Sequence, residues 1–202
     1  MLNANFVIFG AVLNLFGSVS YVISTLKGKT SPNRITWSLW ALAPLIAFSA
    51  QIAKGVGIQS LMTFMVGFGP LMVLIASFVN RKSVWKLTTF DFICGGLSVV
   101  GLILWTVTKE GNVAIALAIA ADTLAAIPTV VKSYKAPETE NANIYLFAAI
   151  SAGITLLTLD NWSFEYSGFP VYILVICAFL YALIKFKFGK KFQRDPSDIL
   201  PA

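Results

Sequence analysis

Seven stretches of this chain are too long and too uniformly apolar for the interior of a water-soluble domain: residues 4–26, 35–53, 58–80, 88–108, 112–134, 143–160 and 168–188. Each lies close to the roughly 20 residues that an α-helix needs to cross about 30 Å of hydrocarbon. With 57% of its 202 residues apolar and 12% charged, the chain has too little polar surface to enclose these stretches in water. They are apolar all round rather than alternating, which excludes the strands of a membrane β-barrel. The expected fold is an all-α membrane protein with seven transmembrane helices. Met1–Phe6 carries no cationic segment of a signal peptide, so the first span is read as part of the mature fold.

The cations give the expected orientation, because cytoplasmic loops retain Lys and Arg. Lys27, Lys29 and Arg34 follow the first span, Arg81, Lys82 and Lys86 the third, and Lys132 and Lys135 close the fifth. Lys185, Lys187, Lys190, Lys191 and Arg194 gather at the end of the chain. With seven spans all of these fall on one side, leaving Lys54 and Lys109 on the other. The N-terminus is then outside and the C-terminus cytoplasmic, in a multi-pass protein of the plasma or bacterial inner membrane. The net charge of +6 flanks spans instead of lining a soluble groove, so nucleic acid is not an expected partner.

The chain also repeats itself. The stretch T-L-K-G-K-T-S-P-N-R-I-T-W-S-L-W, ending at Trp40, is echoed by T-V-V-K-S-Y-K-A-P-E-T-E-N-A-N-I-Y, ending at Tyr145. Aligning Pro32 with Pro137 sets Trp40 on Tyr145, and G-F-G-P-L-M-V-L-I around Pro70 matches S-G-F-P-V-Y-I-L-V around Pro170. Residues 1–87 and 112–188 are therefore read as two three-helix units, with 88–111 as a linker helix and 189–202 as a basic cytoplasmic tail. An odd number of linking helices returns the second unit to the orientation of the first. The two bundles are then parallel, with any solute path between them near the midplane.

This 3+1+3 layout, with a cationic loop after the first helix of each unit, resembles the SWEET and PQ-loop superfamily of sugar transporters, cystinosin-like amino-acid exporters and KDEL receptors. The family's Pro-Gln signature has Pro128-Thr129 in its place in the second unit and Ser24-Thr25 in the first. Trp37 and Trp40 also resemble the W-x-x-W pattern of nicotinamide riboside transporters, which share the layout. The resemblance implies a carrier, either a facilitator or proton-coupled, for a small polar solute such as a sugar, an amino acid or a nucleoside-like molecule. It also implies an alternative, a non-transporting seven-helix receptor or sensor on the same scaffold.

Individual residues stand out against the apolar runs. Asp122 lies near the middle of the fifth span, where an ionisable side chain costs at least about 2.5–3.5 kcal/mol and so faces a cavity or a partner. Asn14 and Ser18, one turn apart on the first span, share a face at comparable depth. Trp40 and Tyr145 are expected as stacking walls or an inner gate, and Trp37 as an interfacial belt residue. Asp122, Asn14, Ser18, Trp40 and Tyr145 thus form the candidate solute-binding or coupling set. Pro44, Pro70, Pro128 and Pro170 interrupt four spans, and Pro44 and Pro128 are the expected hinges. Arg34, with Asn33, either caps the second span or latches a cytoplasmic gate against Glu138 or Glu140.

The remaining signals are negative. The chain has no His, no ligand-spaced cluster for a metal and no nucleotide or hydrolase motif, so neither an enzyme nor a cofactor is expected. Cys94 and Cys177 fall inside spans as packing residues. The expected partners are the lipid bilayer, a small polar solute, protons where transport is coupled, and further copies of the chain in a homo-oligomer.

Overall fold

The structure is a computed structural model and describes residues 2–53, 57–80, 82, 85–107 and 111–192. Among these, every regular element is helical: α1 (Phe6–Leu26), α2 (Arg34–Ala53), α3 (Ser60–Val79), α4 (Thr89–Val107), α5 (Gly111–Lys135), a 3-10 turn (Pro137–Thr139), α6 (Ala142–Leu157), α7 (Phe164–Lys185) and α8 (Phe188–Phe192). The seven long helices fall on the seven apolar stretches. The short α8 is an addition, formed at the start of the basic tail. Lys54, Arg81, Lys109 and Arg194, used above to orient the chain, lie outside the described residues, as does the tail from 193 onward.

Among the described residues, three helices are long and apolar enough to cross a bilayer: Phe6–Leu26, Ser60–Val79 and Tyr166–Lys185. Large apolar side chains lie on the surface as well as in the core, and polar ones are buried among them. Phe16, Ile75, Phe92, Ile103 and Val175 lie on the surface, while Asn14, Ser18, Thr25, Asp122, Thr129 and Lys132 are inside. So much exposed apolar area calls for a non-aqueous neighbour.

The long helices pack in a regular pattern. α1 packs on α3 and α6, α2 on α3 and α5, and α7 on α5 and α6. Exchanging α1, α2 and α3 for α5, α6 and α7 maps each of these contacts onto another. α4 stands apart against α5 and α2. Small residues allow the close approach of α1 to α6, since a Cβ on Gly17 would sit 3.0 Å from the Ile144 Cα.

The loops explain how the register of the two units is set. α1 ends in a left-handed turn at Gly28, φ 71°, whose N–H reaches the Thr25 carbonyl while Lys29 N–H reaches Ser24; glycine takes this conformation without a Cβ penalty. Asn33 then caps α2, its Oδ1 accepting the N–H groups of Ile35 and Thr36. Asn141 caps α6 in the same way, accepting from Asn143. The two caps are separated by the same number of residues as Asn14 and Asp122. In the loop before α6 the proline opens a 3-10 turn, Pro137–Thr139, that leads to the cap. The proline-based alignment therefore slips within the second helix of each unit, where cap alignment sets Tyr145 on Trp37 instead of Trp40.

Candidate binding cavity

A cavity of about 60 Å³ lies inside the bundle, among α1, α2, α3, α5, α6 and α7. That is well above the roughly 10–15 Å³ that a site needs to hold a water. Its lining comes from Asn14 and Ser18 on α1, Trp37 and Trp40 on α2, Val66 and Pro70 on α3, Asp122 on α5, Ile144 and Tyr145 on α6, and Ile173 and Cys177 on α7. Among the described residues, none from α4 lines it. All five residues of the expected binding set, which are spread over four helices, thus line one space.

Helical spacing explains how they meet. Asn14, Ser18, Tyr21 and Thr25 recur every three or four residues and form the buried stripe of α1. Gly69 of α3 sits directly against Ser18, where a Cβ would fall 2.3 Å from its hydroxyl. Ser18 donates back to the Asn14 carbonyl at 3.0 Å, a common use of a serine hydroxyl inside a helix. On α5, Ala121 faces α4, where its carbonyl accepts from Ser98. Its neighbour Asp122 turns into the cavity, and its Oδ2 accepts the Tyr172 hydroxyl of α7 at 2.7 Å. The Trp40 indole lies beside the same carboxylate, but neither it nor the Trp37 indole has a hydrogen-bond acceptor of ordinary geometry.

At one end of the cavity is a polar cluster with a different character. Lys132 and Glu140 form an ion pair with both side chains fully buried. The Lys132 ammonium also donates to the Ser31 carbonyl and lies 5.4 Å from the Trp85 ring centroid. The second Glu140 oxygen accepts the hydroxyls of Tyr21 at 2.6 Å and Tyr145 at 3.2 Å. Ser31 N–H bonds the Thr139 carbonyl, and the Asn141 amide reaches Ser20 and Ser24. Both connecting loops and three helices of the two units are fastened together here.

The cluster and the cavity share a wall. Tyr21 packs on Trp37 with ring centroids 4.7 Å apart, Trp37 on Trp40 at 5.5 Å, and Trp40 on Tyr145 at 6.3 Å. Since Tyr21 and Tyr145 both bond Glu140, the four rings and the carboxylate close a circuit.

Several expectations change. The latch of Arg34 against Glu138 or Glu140 is not formed. Arg34 instead bonds the hydroxyl and carbonyl of Ser77 on α3 and stacks 4.1 Å from the Phe78 ring centroid. Glu140 is turned inward to Lys132, while Glu138 remains on the surface and pairs with Lys190 at 2.9 Å. That hydrogen bond from Lys190 holds Glu138 below the usual carboxylate range. Trp37 is not a belt residue; it is 1% exposed, because the Asn33 cap, tied to Asp91 of α4, tucks the first turn of α2 into the bundle. Pro44 and Pro128 sit inside helices that continue through them.

Three residues escape the sequence reading. Tyr21 continues the spacing of Asn14 and Ser18, and that periodicity is its signal. Tyr172 occupies the position two residues past Pro170 where the first unit has Met72 two past Pro70, so the repeat alignment marks it as a departure. Lys132 reads as an ordinary flanking cation; its burial depends on the loop folding back over it. No family model, curated protein or solved structure matches the chain.

Proposed function

We propose that the chain is an integral membrane carrier for a small polar solute, working by alternating access between two parallel three-helix bundles joined by the linker helix α4. In this reading all seven long helices span the bilayer, with the N-terminus outside and the cation-rich end of the bundle in the cytoplasm. The observation that carries it is the cavity between the units, lined from both of them and, among the described residues, from none of the linker, where Asp122, Asn14 and Ser18 meet an otherwise apolar and aromatic wall.

Alternating access needs a closure that can be undone, and the Lys132–Glu140–Tyr21 cluster supports one on the cytoplasmic side. It crosses between the units through Tyr21, Ser31 and Asn141, so separating the units there exposes the cavity to that side. Pro44 and Pro128 lie in α2 and α5, which pack on each other across the units, and each removes a helical hydrogen bond where bending is required.

The test is flux. Purified protein reconstituted in liposomes and loaded with a metabolite extract should accumulate or exchange a subset of small polar solutes, read by mass spectrometry of the vesicle contents. Binding of a solute with no flux above protein-free liposomes would sink the carrier reading in favour of a receptor or sensor.

A further inference from the structure

Among the described residues, charge bookkeeping inside the bundle leaves Asp122 without an ionic counterpart. Asp122 is 6% exposed and accepts a neutral phenol from Tyr172. Among the described residues, the two cations that are not exposed are committed elsewhere, Lys132 to Glu140 and Ser31, and Arg34 to Ser77. Tyr145, which shares the cavity, turns its hydroxyl to Glu140. Asp91, the other carboxylate buried in a helix among the described residues, shows what a structural acid looks like here. One of its oxygens takes both the N–H and the hydroxyl of Thr88, and the other takes the Asn33 amide. Asp122 has no such set, and an isolated charge out of water is costly unless something pairs it.

The surroundings say what kind of partner fits. The rings of Trp37, Trp40 and Tyr145 line the same space, and the face of an aromatic ring attracts a cation within about 6 Å. A hard metal ion is poorly served, because calcium takes six to eight oxygens and this lining offers only the Asp122 carboxylate, the Asn14 amide and the Ser18 hydroxyl. The cavity of about 60 Å³ limits the buried part of a ligand to a compact group, such as an onium or protonated-amine head.

Resting on the carrier reading above, we propose that the solute is a small organic cation whose charged head sits between the Asp122 carboxylate and the Trp37, Trp40 and Tyr145 rings. The charge of the cargo completes a site that the protein leaves one unit negative, and the Asn14 amide is placed to select polar groups on the rest of the molecule.

The experiment uses matched pairs that differ in charge and little in shape: choline against 3,3-dimethylbutan-1-ol, and 1-methylpyridinium against toluene. Ligand-induced shift of the unfolding temperature of the full chain in detergent reads binding. At least a tenfold preference for the cation in both pairs is expected, lost in Asp122→Asn and kept at lower affinity in Asp122→Glu. Equal binding of the neutral partners, no binding by either cation, or an Asp122→Asn protein that keeps the preference would each overturn the proposal. The wild-type comparison stands alone if a variant does not fold. Flux in liposomes is scored separately: flux without charge preference defeats this inference and spares the carrier, whereas charge-selective binding without flux does the reverse.

Discussion

Two buried polar regions lie side by side in this bundle and treat charge in opposite ways. In the Lys132–Glu140 cluster every charged atom has a partner, and the partners come from both units. In the cavity, Asp122 has a single neutral donor, and two indole N–H groups have no acceptor. The four-ring circuit joins the two regions, so proximity does not explain the difference. A region that satisfies itself holds the fold together, whereas one that stays incomplete is ready for something to enter.

The contrast can be broken most forcefully at the cluster. Lys132→Met leaves Glu140 buried and unpaired, and the loss should be about 3–5 kcal/mol, read as equilibrium unfolding in mixed micelles. Adding Glu140→Gln removes the stranded charge and should recover much of that loss. A single variant as stable as the parent would mean the pair holds nothing. Tyr21→Phe deletes one charge-assisted bond and should cost about 1.5–3 kcal/mol. It should also raise the reactivity of Cys177, which lines the cavity, toward a thiol reagent added from the side on which the cluster lies; unaltered labelling would dissociate the cluster from the proposed closure.

At the cavity the expected stability effect is smaller. Asp122→Asn removes an unpaired charge and keeps the hydrogen-bonding shape, so stability should change by less than about 1 kcal/mol in either direction. A loss as large as that of Lys132→Met would make Asp122 a structural residue and erase the contrast.

The smallest effect belongs to the surface pair of Glu138 and Lys190, both about half exposed. Its worth is about 0–1 kcal/mol. Because the hydrogen bond from Lys190 lowers the Glu138 pKa, the contribution is complete above the ordinary glutamate value near about pH 4.3 and fades as pH falls through the lowered one. Glu138→Gln should flatten only that acid limb of a stability–pH curve, and a change at neutral pH larger than the stated range would contradict the assignment.

Much of this arrangement is legible in the sequence because apolar runs make polar residues conspicuous. Asn14, Ser18 and Asp122 stand out in stretches that have no other reason to carry them, and helical spacing then gives them a common face. The cluster is less legible for the opposite reason. Lys132 lies among other cations at the end of a span, where a charge is ordinary, and nothing local shows that the 3-10 turn at Pro137–Thr139 will bring Glu140 back onto it. Arg34 was expected to meet Glu138 or Glu140 because one loop is basic and the other acidic, yet Ser77 and Phe78 on α3 lie closer. Trp37 fits the pattern of an interfacial residue, and only the tie between Asn33 and Asp91 shows that its turn is inside. Local pattern carries the helices and the cavity; loop geometry, which it does not encode, carries the closure.

The most direct test of the account measures flux and unfolding on one preparation of Asp122→Asn in liposomes. Flux of the solute that the parent transports should fall more than tenfold while the unfolding midpoint stays with the parent's. Flux retained at the parent's rate, or flux lost together with stability, would contradict the claim that the incomplete region is the working one.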